Sequence, residues 1–102
     1  MGINGIIGIY VVYYYWWLNM ENNYLDVHGL TLIQAQRVIT KAVFNAFMND
    51  ISVLYVNHGF NSGEKIKSWC RTNAIKLKHV IKVEPGDNEG ITKLYIQTNF
   101  FK

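Results

Sequence analysis

The chain has 102 residues, 50% of them hydrophobic and 17% charged, a balance that excludes disorder and supports one modest core but not two. A single cysteine, Cys70, excludes an internal disulfide framework and a cysteine zinc site, and predicts a reducing, cytoplasmic compartment. The formal net charge of +3 is mild, but from Lys65 to Lys82 every charged residue is basic: Lys65, Lys67, Arg71, Lys76, Lys78 and Lys82. Such clustering is the electrostatic footprint of a polyanion such as DNA or RNA, weighed against the plainer reading of a solvated surface.

Met1 to Met20 contains no charged residue, and Ile6 to Leu18 is almost wholly apolar or aromatic. A secretory signal needs a basic start and a small-residue cleavage site, and neither is present. A membrane span needs about 20 apolar residues, reached here only by counting Gly2, Asn4 and Asn19. The cluster Tyr13 to Trp17 suits a membrane interface belt and an extra strand equally. Three readings stand, in this order: residues 1–19 as an apolar N-terminal extension, a translational start at Met20, or a membrane anchor. The domain itself is taken as residues 20–102.

Tyr24, Leu25 and Val27 predict a short strand ended by Gly29. Thr31 with Gln34 three residues on is a capping box, so a helix starts there. Asp26 and His28 are two apart and leave a strand by the same face. They serve proton transfer or metal binding, or in the bland reading Asp26 only holds the turn. From Thr31 to Asn49, Ala35, Val38, Ile39, Ala42, Val43, Ala46 and Phe47 form one helical apolar stripe. The apolar run Ile51 to Val56 then predicts a strand covered on both faces. Strand, helix, strand at this spacing is a right-handed βαβ unit with parallel strands, which brings His58 toward Asp26 and His28.

The loop from His58 to Gly63 leads into a helix over Glu64 to Asn73, with Ser62 as its N-cap and Ile66, Trp69 and Cys70 toward the core, Trp69 being read as core and not as a base-stacking platform. A glycine-containing loop feeding a helix N-terminus suits a phosphate. Lys78 to Glu84 and Ile91 to Thr98 predict two strands of a hairpin around the Pro85–Gly90 turn. The expected fold is α/β of the α+β sandwich kind, in the order β-α-β-α-β-β, with a four-stranded mixed sheet and two helices. His79 has no visible partner and is assigned no role.

Leu25-Asp26-Val27-His28, a following helix, and a strand ending in His58-Gly59 before a glycine loop resemble the small MutS-related (Smr) domain family. The resemblance runs from about Tyr24 to Gln97. The family's Leu-Asp-x-His motif is matched at Leu25, Asp26 and His28. Its His-Gly-x-Gly-x-Gly motif is matched at His58, Gly59 and Gly63, with Asn61 in place of the middle glycine. Asparagine enters positive φ cheaply, so the turn is compatible with the change. The resemblance implies a nucleic-acid-binding domain whose relatives include DNA-nicking and RNA-cleaving endonucleases, often fused to other domains.

Phosphodiester cleavage needs a base, an acid and positive charge around the phosphorane. His28 and His58 are candidates for the proton transfers, with Asp26 fixing a tautomer. Gly59, Asn61, Ser62 and Gly63 are candidates to hold the phosphate, and Lys65, Lys67 and Arg71 to steer the backbone. Alternatively Asp26, His28 and His58 hold a divalent metal such as Mg or Mn that activates water. The competing function is a nucleic-acid-binding module without catalysis.

Overall fold

A computed structural model describes residues 20–21, 23–60 and 64–98. The expectations placed on residues 1–19 and on Asn61, Ser62 and Gly63 lie outside these. The elements are β1 (Met20–Glu21), β2 (Tyr24–Asp26), α1 (Leu32–Met48), β3 (Val53–Asn57), α2 (Glu64–Thr72), β4 (Val80–Pro85) and β5 (Ile91–Ile96). A short 3-10 turn, Ala74–Lys76, joins α2 to β4. The four expected strands and two helices are all present. The added strand β1 lies antiparallel to β2 at one margin of the sheet, whose order is β1-β2-β3-β5-β4.

The capping box starts α1 as expected: the Thr31 side chain accepts the Gln34 backbone N–H at 3.2 Å, and Gln34 returns a bond to the Thr31 N–H at 3.0 Å. Ala35, Val38, Ile39, Ala42, Val43 and Ala46 form its buried stripe. Asn49 ends the helix by turning its amide back onto the Asn45 carbonyl at 2.8 Å, and Asp50 follows at φ 57°. That left-handed residue is one Asp tolerates, and it reverses the chain into β3.

β2 and β3 are parallel, with Tyr24 opposite Tyr55, Leu25 opposite Val56 and Asp26 opposite Asn57. β5 runs antiparallel to β3, and β4 pairs with β5 as the expected hairpin. One expectation is corrected. β3 is not covered on both faces: Leu54 and Val56 are buried, whereas Val53, Tyr55 and Asn57 between them are only half-buried. β5 alternates in the same way, with Thr92, Leu94 and Ile96 inward. Those inward side chains join the buried stripe of α1 and Ile66, Cys70 and Ala74 in one core, which makes a two-layer sandwich with its helices on one face. Cys70 is core filler as expected, and burial pushes its thiol up to about 12.

The other sheet face carries Tyr95, whose hydroxyl donates to Glu84 at 3.0 Å, while Lys82 pairs with Glu84 at 2.8 Å. His79, left without a role above, is a hinge of packing. At φ 79° it stacks on Phe47 with ring centroids 3.6 Å apart, and its Nδ1 lies 3.2 Å from Gln97 Oε1.

Candidate functional site

Asp26, Asn57 and Ile91 form the last row of the sheet at the carboxyl ends of β2 and β3. Asp26 and Asn57 each turn a side-chain oxygen back onto the backbone two residues on. Asp26 Oδ1 accepts the His28 N–H at 3.1 Å, and Asn57 Oδ1 accepts the Gly59 N–H at 3.1 Å. These matching Asx turns lift both chains out of the sheet side by side. Each is followed by a glycine, or contains one, in the left-handed region: Gly29 at φ 85° and Gly59 at φ 84°. The two loops touch, since a Cβ on Gly59 would stand 3.3 Å from the His28 Cβ.

The same Asp26 oxygen binds the His28 ring through Nδ1, so the two predicted partners do form a pair. The His28 side chain is 61% exposed and that of Asp26 is 22% exposed. A carboxylate on Nδ1 sets the tautomer and orients the ring.

His58 does something different. It continues the inward face of β3 and is 1% exposed. Its Nδ1 lies 3.2 Å from the Gly59 carbonyl and its Nε2 lies 2.8 Å from Thr92 Oγ1. Arg71 donates from Nε to the same Thr92 oxygen at 2.7 Å and from a terminal nitrogen to the Ile91 carbonyl at 3.1 Å. Donor counting fixes the network. A carbonyl only accepts, so His58 carries a proton on Nδ1; in the neutral ring Nε2 then accepts from the Thr92 hydroxyl, which in turn accepts from Arg71. This is a neutral imidazole, and its pKa is lowered, first by burial and further by Arg71 and Lys67.

The structure therefore brings Asp26 and His28 together beside Gly59 and turns His58 toward Thr92 and Arg71. The three do not form a ligand set, and among the described residues no three His, Cys, Asp or Glu side chains are placed to hold a metal ion. The basic candidates also separate. Arg71 is committed to Thr92 and Ile91, and Lys67 pairs with Glu89 at 2.6 Å. Lys65 is exposed on the other flank of α2.

Sequence reasoning gave no role to Asn57, whose Asx turn is local, nor to Thr92 and Glu89, whose partners His58, Arg71 and Lys67 lie 34, 21 and 22 positions away in the chain. It also missed Phe60, 59% exposed beside the site, whose position after His-Gly was the one available signal. Trp69, expected in the core, lies at its margin and is only half-buried. Among the described residues no helix is long and apolar enough to cross a membrane.

The Smr domain of Thermus thermophilus MutS2 superposes on this chain with a TM-score of 0.68 and 22% identity, covering 74% of this chain and 98% of that one. The fold is that of an Smr domain. No protein-family model and no curated protein sequence matches the chain. Within the Smr fold, the Asp26–His28 pair and the Gly59 loop stand together on the sheet edge where open α/β sheets place their ligands.

Proposed function

We propose that this chain is a nucleic-acid-binding domain of Smr type that cleaves phosphodiester bonds, with Asp26 and His28 as its proton-transfer pair. The observation that carries the reading is the exposed His28 ring held through Nδ1 by a half-buried carboxylate at the sheet's open edge. Such a pair takes a proton from an attacking oxygen at Nε2, while Asp26 stabilises the imidazolium that forms. Positive charge around the phosphate comes from Lys65 and the N-terminus of α2. Phe60 offers an exposed ring to a base. His58 holds the Gly59 loop against β5 instead of touching substrate. A cytoplasmic location belongs to the same proposal.

The test is incubation with labelled single- and double-stranded DNA and RNA, with and without chelator. His28→Ala should lower cleavage by roughly 10²–10⁴-fold with binding nearly intact, and Asp26→Asn should lower it as well. Chelator-insensitive cleavage of RNA alone, leaving a cyclic phosphate, assigns the attack to the 2′-hydroxyl. Cleavage of DNA abolished by chelator assigns it to a metal-activated water. The second reading, a binding module without catalysis, is favoured by the burial of His58, which leaves one exposed histidine at this edge. Binding by the wild type with no cleavage of any substrate would establish it.

A further inference from the structure

Helix α2 divides its surface three ways. Ile66 and Cys70 face the core, while Lys67 and Arg71 lie on the flank bound to Glu89, Thr92 and Ile91. The third flank, carrying Lys65, Ser68, Trp69 and Thr72, turns toward Leu32 at the start of α1. Between them runs an open groove of about 400 Å³, with Glu64 at one end.

Three features of this groove point to one kind of occupant. Its lining includes the Trp69 indole, which packs against the core and is partly exposed, and the aliphatic Leu32. Exposed Lys65 is in the same lining, and among the described residues no ion pair engages it. The Ser68 hydroxyl and Glu64 carboxylate lie along the rim, while the Thr72 hydroxyl is engaged by the Ser68 carbonyl and Asn73 Oδ1. A flat π surface with one cation beside it and short polar groups around it matches a base and its phosphate. A base inside a duplex is stacked and paired, so only an unpaired one enters.

We infer that the groove between α1 and α2 is a subsite for an unpaired nucleobase, stacked on Trp69 with its phosphate at Lys65. This rests on the nucleic-acid reading above and gives the same site its substrate class, a single-stranded or locally unpaired strand.

The test uses the full chain carrying Trp16→Phe and Trp17→Phe, which leaves Trp69 as the single indole. Titration with short oligothymidylate or oligouridylate should quench Trp69 emission saturably, and a duplex should not. Trp69→Ala should weaken single-strand binding by roughly 5- to 150-fold, the loss of one base–aromatic stack, with duplex affinity unchanged. Trp69→Phe, which keeps a ring and the packing, should retain most of the affinity and guards against a folding defect. Unquenched Trp69 with bound single strand overturns the inference, as does an equal loss of single-strand and duplex affinity in Trp69→Ala. Binding of duplex alone overturns the groove and leaves the proposed function standing. Binding of neither overturns both.

Discussion

At the end of β2 a carboxylate and an imidazole are bound to one another in partial exposure, whereas at the end of β3 the imidazole is turned into the protein. The second arrangement has a pH consequence. Burial, and then Arg71 and Lys67, lower the pKa of His58 from its ordinary value of 6.5, so the unfolded chain takes up a proton at a pH where the folded chain does not. The stability this gives is fully present above that ordinary value and is lost as pH falls through the lowered one. The urea midpoint should therefore drop on going from neutral pH to below the folded pKa of His58. His58→Gln, which titrates at neither end, should show a shallower drop when the two curves are compared over the same range.

On the scale of elements, the site depends on two loops that approach closely. Gly59 is needed twice, for its φ of 84° and because a Cβ there would press on His28 Cβ at 3.3 Å. Gly59→Ala should cost on the order of 1–3 kcal/mol in denaturant unfolding, the range for a strained backbone residue. It should also lower cleavage beyond what the stability loss explains, because His28 must give way. Replacing Gly29 tests the difference. Its φ is 85° but no atom lies within 4 Å of an added Cβ, so Gly29→Ala carries the backbone strain without the push on His28.

Over the whole molecule, the basic run is not one patch. Lys67 and Arg71 are spent on internal partners across β5 and its preceding turn, and Lys82 is paired with Glu84, while Lys65 faces outward beside the groove. Fluorescence anisotropy against salt separates these roles. Lys65→Ala should reduce the log–log slope for duplex DNA by about 0.9, the loss of one phosphate contact. Lys67→Ala should leave that slope nearly unchanged. Equal slopes for Lys65→Ala and the wild type would remove Lys65 from the binding surface.

Much of this was legible in the residues, for identifiable reasons. The α1 stripe and its Thr31–Gln34 box are local signals of helical period and capping, and both hold within a residue at each end. The parallel β2–β3 pair followed from the spacing of a βαβ unit, whereas the Asp26–His28 pair forms through an Asx turn past the end of β2 and not by strand alternation. The coverage of β3 was not legible, because a run of apolar residues does not say how many layers will pack on it. Nor was the inward turn of His58. Its partner Thr92 is 34 positions away, and only the pairing of β3 with β5 brings that hydroxyl, and Arg71 behind it, to the imidazole. Local pattern thus decided which elements form and which pairs two to four residues apart meet. Tertiary packing alone decided which histidine is exposed, which cations remain available and where Trp69 opens onto the surface, because each depends on side chains contributed by other elements.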